Sequence, residues 1–329
     1  MKIALDAMGG DNAPLAVVEG ALLARKLWGI DSILVGDEKE IRPILSAAKE
    51  DMEIVHASEV IGFDEHPVRA MRQKKDASIV VAANLVKEKK AAGLVGAGST
   101  GAAMATSLLT YGRIRGIDRP AIAFPMPTLN GMSLVLDGGA NPEASAINLV
   151  DYALMGSIYM EKVQRVKNPK VGLINIGEEE IKGTPTIIEA YKILKNSDLN
   201  FIGNVEGRDI TSGVADVLVC DGFVGNIILK YTEGLAKGLF TLVKDAMLSN
   251  FKGKLGALLV KNNLKHVKSM MDYSEYGGAP LLGLQNTTII SHGSSDKKAI
   301  ANAIRVAYEA YVNEITKTTM EALEKRSDS

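Results

Sequence analysis

The residues able to do chemistry in this chain are concentrated in a few glycine-rich corners. The most distinctive is "GAGSTG", Gly96–Gly101, which places the hydroxyls of Ser99 and Thr100 between Gly98 and Gly101. Glycines let backbone N–H groups come close to a ligand, and a helical pattern follows, so the stretch suits an anion held at a helix N-terminus. It lacks the Gly-Lys-[Ser/Thr] ending of a nucleotide P-loop. Its letters match G-x-G-x-x-G, but the acidic ribose partner would be Asp118, in a loop rather than at the end of a second strand, which argues against a dinucleotide. Lys182, in "GEEEIKGTP", is a cation placed to meet an oxyanion, or else a solvated neighbour of Glu178, Glu179 and Glu180. Asn226, in "CDGFVGN", is a hydrogen-bond donor or a helix-start residue. His292, in "SHGSSD", has the strongest claim of the four histidines; His56, His66 and His266 have no supporting partners in sequence.

Aspartates recur in the same corners: Asp6, Asp11, Asp137, Asp221 and Asp296. Carboxylates of this kind bind Mg²⁺ or, more commonly, tie turns and cap helices. Asp6, Gly9 and Gly10 in "DAMGGDNAP", Asn141 in "DGGAN" and Asp221 join Gly98–Gly101 as candidate phosphate or substrate contacts. Cys220 sits in an apolar run and reads as buried. No G-x-S-x-G elbow or zincin motif occurs. The expectation is a site without metal or cofactor.

What positions these residues is one repeated unit. A short β-prone run ends in a corner and a helical pattern follows, six times: after "KIAL", "AGLV", "SLVL", "KVGLIN", "ADVLV" and "TTII". Pro14 suits a first helical turn. The repeat predicts a mostly parallel sheet covered by helices on both faces. Ligands of such sheets lie beyond the carboxyl ends of the strands, so all six corners are expected to gather on one side.

Composition sets the limits. The chain has 329 residues, 47% of them hydrophobic, and 38 basic against 39 acidic side chains. That length fits one large two-lobed α/β domain, and the balanced charge argues against nucleic acid as partner. One cysteine fits a reducing cytoplasm. The opening "MKIALDAMGGD" turns polar too early for a secretory signal. The uncharged run from Ala91 to Gly112 is long enough to span a bilayer, but its Gly, Ala, Ser and Thr content reads as buried soluble structure.

"KGKLGALLVKNNLKHVK", Lys252–Lys268, is different. Wound as a helix, it aligns Lys254, Lys261, Lys265 and Lys268 in one stripe and sets Leu259, Val260, Leu264 and Val267 opposite. This is the pattern of an interfacial helix, or of a core or dimer helix. Asn262 and Asn263 interrupt the apolar face and are expected to split a protruding element, at about 250–272, into a hairpin.

"DAMGGDNAP", "GAGSTGA", "DGGAN", "NIGEEEIKG", "VCDGFVGN", "EYGGAPLLG" and "SHGSSD", in this order from Lys2 to about Ala310, resemble the phosphate acyltransferase family of bacterial phospholipid synthesis (PlsX). The family has Asn where Ser stands in "GAGSTGA" in many relatives. The resemblance implies a three-layer α/β/α Rossmann-like fold of the isocitrate/isopropylmalate dehydrogenase kind with two lobes, and a homodimer. It implies conversion of acyl-[acyl-carrier protein] and inorganic phosphate to acyl phosphate and free carrier protein, with Lys182 and Asn226 in the family's active-site positions. It also implies a cytoplasmic enzyme resting peripherally on the inner face of the cell membrane, where a glycerol-3-phosphate acyltransferase uses the product. Lys254, Leu255, Leu258, Leu259, Val260 and Lys261 are then the expected contacts with an anionic bilayer, although the same lysines suit the acidic carrier protein. The alternatives are a phosphotransacetylase-like acyl-CoA enzyme of the same fold and a non-catalytic membrane scaffold.

Overall fold

The computed structural model describes residues 1–270 and 277–327, without the side chains of residues 266, 268–270 and 327. The expectations on His266, on Lys268 and on residues 271–272 therefore fall outside the described side chains and residues. Eleven strands form one sheet: β1 (Ile3–Asp6), β2 (Ser32–Gly36), β3 (Glu53–His56), β4 (Gly93–Gly96), β5 (Ala121–Thr128), β6 (Gly131–Leu136), β7 (Val171–Asn175), β8 (Phe201–Glu206), β9 (Val217–Val219), β10 (Ala279–Leu282) and β11 (Thr287–Ile290). Their order across the sheet is β3-β2-β1-β4-β11-β10-β5-β6-β9-β7-β8. Most neighbours are parallel, as expected, and most strand residues are buried, as strands covered on both faces must be.

The side chains alternate between two layers in each half of the sheet. In the first half Ala4 and Leu94 face α3 (Pro67–Gln73), α4 (Ser78–Lys87) and α5 (Thr100–Tyr111), while Ile3, Leu5 and Val95 face α1 (Leu15–Trp28), α2 (Glu38–Ala48) and α10 (Lys297–Val312). In the second half Leu134, Leu136, Val217 and Val219 face α6 (Ala146–Lys162), α7 (Pro185–Lys195) and α11 (Ile315–Ser327). Phe124, Met126, Val135 and Leu218 are covered more thinly, by Val224, Ile228 and Leu229 at the start of α8 (Gly222–Leu248) and by Ile210 and Ala215.

The direction of the strands corrects one expectation. β10 is antiparallel to both β11 and β5, and β5 is antiparallel to β6. Consequently β6, β9, β7 and β8 run opposite to β1, β4 and β11. The six corners form two rims of three, one after β1, β4 and β11 and the other after β6, β9 and β7, instead of a single row.

The second difference concerns the protruding element. α8 runs for 27 residues, about 40 Å at 1.5 Å per residue. Past Leu229 none of its residues joins a hydrophobic core, and α9 (Phe251–Met270) packs back on it. The hairpin break lies at Ser249–Asn250, where Asn250 Oδ1 accepts from Gly253 N at 2.8 Å. α9 continues unbroken through Asn262 and Asn263: both are exposed, where a mid-helix asparagine costs only a fraction of a kcal/mol.

Candidate active site

The first rim is interlocked backbone to backbone. Gly10 takes φ +110°, and a Cβ there would stand 3.0 Å from Ala97 O and 3.1 Å from Gly293 O. Asp11 N donates to Gly293 O at 2.8 Å, and Asn12 Nδ2 donates to Ser294 O at 3.1 Å. A Cβ on Gly9 would come within 3.0 Å of Gly98 N. The three corners therefore touch because glycine occupies the crossings. Asp6 is buried beneath them; its Oδ1 accepts from Ser78 Oγ at 2.6 Å, Gly9 N at 3.1 Å and Met8 N at 3.3 Å. Burial pushes its pKa up, against the pull of those hydrogen bonds.

Ser99 caps α5, accepting from Ala102 N at 3.4 Å, whereas the Thr100 side chain is exposed. Among the described residues the Thr100 and Gly101 amides meet no acceptor, as is usual for a helix's first turn. They remain available to an anion. His292 forms its own turn: its Nδ1 accepts from Ser294 N at 3.2 Å and shares a 2.8 Å hydrogen bond with Ser294 Oγ.

The second rim is organised by a fully buried carboxylate. Asp137 Oδ1 accepts from Ile122 N and Ala140 N, both at 3.0 Å, and from Gly139 N at 3.2 Å. Its Oδ2 accepts from Asn141 N at 2.7 Å and Asn141 Nδ2 at 2.9 Å. Burial raises the Asp137 pKa and these donors oppose the rise. Asn141 also donates to Pro120 O at 2.7 Å, and its carbonyl accepts from Gly222 N at 2.8 Å. α8 thus starts directly on the loop, with Asp221 Oδ1 accepting from Val224 N at 2.8 Å as its cap. A Cβ on Gly222 would stand 2.7 Å from Asn141 O, and one on Gly225 would run into the Asp137 carbonyl. Asn226 emerges one turn later, exposed, its Cβ 3.4 Å from where a Gly139 Cβ would be.

Lys182 follows β7, the neighbour of β9. Its loop is fixed by Asn175 Nδ2 donating to Lys182 O at 3.0 Å and Asn204 Nδ2 donating to Glu179 O at 3.0 Å. Glu180 pairs with Lys195, which holds the carboxyl below its ordinary range, so Lys182 does not neutralise it. The Lys182 ammonium is exposed and makes no ion pair among the described residues.

Of the residues picked out in the sequence, Asp6, Asn141 and Asp221 are spent inside the protein, and Gly9 and Gly10 are crossing points. Thr100, Gly101, Lys182 and Asn226 have polar groups to offer a ligand. Asp137 ties its corner, the commoner role of a corner aspartate; the close seating of α8 on that corner has its sequence signal in Gly222 and Gly225 of "DGFVG". Cys220 is buried and its thiol is pushed well above its ordinary pKa, which excludes it as a ready nucleophile.

The family model described as "Fatty acid synthesis protein" matches residues 1–318. The chain is 55% identical over 324 residues to a phosphate acyltransferase of Desulfitobacterium hafniense (strain Y51), covering 96% of this chain and 97% of the relative. It is 56% identical over 311 residues to a phosphate acyltransferase of Heliobacterium modesticaldum, covering 93% of each. Among solved structures it is similar in fold to a phosphotransacetylase from Streptococcus pyogenes, with a TM-score of 0.64 and 20% identity over 95% of this chain and 94% of that one.

Replacing Asp137 by Ala would remove the acceptor of five hydrogen bonds, three of them buried. Asp137→Ala is expected to lower stability by more than about 3 kcal/mol, measured by chemical denaturation. A loss below about 1 kcal/mol would contradict its anchoring role.

Proposed function

Since the chain belongs to the fatty acid synthesis protein family and is a phosphate acyltransferase, we propose that it moves the acyl group of acyl-[acyl-carrier protein] onto inorganic phosphate, giving acyl phosphate and free carrier thiol. One observation carries this reading: among the described residues the Thr100 and Gly101 amides and the Thr100 hydroxyl on one rim, and the Lys182 ammonium and Asn226 carboxamide on the other, have no hydrogen-bond or ion-pair partner. These are anion-holding groups, and because phosphate itself is the nucleophile the protein need not supply one.

Strand twist supports the meeting of the two rims. Neighbouring strands rotate by about 20–25°, so the six steps from β1 to β9 accumulate about 120–150°. That rotation turns the oppositely directed carboxyl ends toward a common side. Phosphate sits at the start of α5, held by the Thr100 and Gly101 amides and the Thr100 hydroxyl, where the helix N-terminus favours negative charge. Its oxygen attacks the thioester carbon and a tetrahedral oxyanion forms. Lys182 faces the developing charge, and the Asn226 amide donates to the carbonyl oxygen or to phosphate. Each prearranged donor of this kind contributes about 3–4 kcal/mol. Collapse expels the carrier thiolate, whose conjugate acid has an ordinary pKa near about 8.5, so departure needs little help. The turn-bound His292 is the weaker candidate for supplying it.

Lys182→Ala and Asn226→Ala should each lower kcat about 10²–10³-fold in folded enzyme, read as phosphate-dependent release of carrier thiol. Near-normal turnover in either variant would remove that residue from the mechanism.

The hairpin fits a product that is amphiphilic and consumed by a membrane acyltransferase. Phe251, Leu255, Leu258 and Leu259 share one exposed face of α9, with Phe251 and Leu259 81% and 78% exposed. Lys254, Lys261 and Lys265 flank them, the arrangement of a helix lying in a bilayer surface. No described helix is long and apolar enough to cross a membrane. The exposed α8 stripe of Phe223, Ile227, Tyr231 and Leu235 suits a second copy of the chain. Leu258→Glu/Leu259→Glu should abolish flotation with anionic vesicles while retaining thiol release in solution; undiminished flotation would refute membrane contact.

A further inference from the structure

One charged surface is not used by the mechanism above. Between Pro67 and Lys75 the sequence has four basic residues and no acidic one, in a chain whose net charge is −1. Arg69 and Arg72, three residues apart on α3, share one exposed face, with Ala70 and Met71 buried behind it. Neither arginine, nor Lys75, makes an ion pair among the described residues. Nearby acids are engaged: Glu65 pairs with Lys74 at 2.6 Å and accepts from Gly62 N at 2.7 Å, and Asp76 accepts from Ser58 N at 2.8 Å. Glu59, Asp64 and Asp76 keep their charge, so four acids balance four bases from Glu59 to Asp76, and the positive charge is confined to the exposed α3 face of Arg69 and Arg72 with Lys75.

This surface adjoins the first rim. Pro67, the first residue of α3, has its Cγ 2.7 Å from where a Cβ on Gly101 would stand. Phe63, 60% exposed, has its ring edge 3.1 Å from the corresponding point on Gly293. Val68 lies exposed beside the arginines. The basic face therefore borders the corner where the Thr100 and Gly101 amides wait, and it mixes cations with apolar side chains. A small anion needs only the amides. A surface this wide, with its own apolar centre, fits a protein with an acidic face that must bring a tethered thioester to that corner.

We propose that Arg69, Arg72 and Lys75, with Phe63 and Val68, form the docking surface for the acidic acyl-carrier protein. This rests on the reading that the acyl donor is carrier-bound. The lysines of α9 are another basic surface, but they border an exposed apolar face on the hairpin and are assigned to the bilayer.

The test is steady-state kinetics of the full-length enzyme with palmitoyl-carrier protein. Arg69→Glu/Arg72→Glu should raise the KM for acyl-carrier at least about tenfold and flatten its salt dependence, leaving kcat and the KM for phosphate unchanged. Arg69→Lys/Arg72→Lys should retain the wild-type KM within about twofold, since charge steers docking. Lys254→Glu/Lys261→Glu should leave it unchanged. An unaltered carrier KM in the charge-reversed enzyme overturns the proposal, as does an effect on the phosphate KM instead, or a carrier effect confined to the Lys254/Lys261 variant. Wild-type enzyme that consumes palmitoyl-CoA and ignores the carrier would overturn the donor assignment itself, a result distinguishable from a misplaced docking face.

Discussion

The proposed site depends on a reversal in the middle of the sheet. Were all eleven strands parallel, the six corners would stand in one row too long for a single small anion. Instead β10 and β5 reverse the direction between β11 and β6, dividing the corners into two sets of three. Right-handed twist then rotates the second set relative to the first. The central strands thus separate two structures to which the proposed mechanism gives different jobs: one with an open helix start for phosphate, and one with a cation and an amide.

Both rims obey the same economy. Each has a buried aspartate beneath it, Asp6 or Asp137, that absorbs the loop's own N–H groups. Both carboxyls have raised pKa values, because burial opposes ionisation more strongly than the loop donors favour it. With the loops held from within, the exposed groups need not be used as structural ties. Thr100, Lys182 and Asn226 remain free of the internal bonding that occupies Asp6, Asn141 and Asp221. The first turn of α8 illustrates the difference from α5: Gly222 N and Val224 N are already taken by Asn141 O and Asp221 Oδ1. This favours α5 as the phosphate seat even though both helices begin in glycine-rich corners.

Much of this was legible in the sequence because buried parallel strands leave a strong local signature. "KIAL", "AGLV" and "SLVL" each precede a corner and a helix, and the structure places β1, β4 and β6 there. The reversal was not legible: β10 is only four residues long, and β5, "AIAFPMPT", has two prolines that obscure its strand pattern. That Asp137 ties its own turn is legible in a corner aspartate, but its bond from Ile122 N, fifteen residues away in sequence, leaves no local pattern. The apolar pattern points to a hairpin, and to Asn262 and Asn263, which interrupt it, as its break. The break falls where an asparagine caps a helix, at Asn250, instead of where asparagines sit in an exposed turn. Pattern registers polarity; capping depends on backbone geometry.

The claim that the two rims form one site is tested most directly by the crystal structure of the enzyme with phosphate bound. The account predicts a single oxyanion hydrogen-bonded to the Thr100 and Gly101 amides, with the Lys182 ammonium and the Asn226 carboxamide facing it across the cleft. Phosphate bound elsewhere, or Lys182 and Asn226 turned away from the α5 start and beyond reach of any ligand held there, would contradict it.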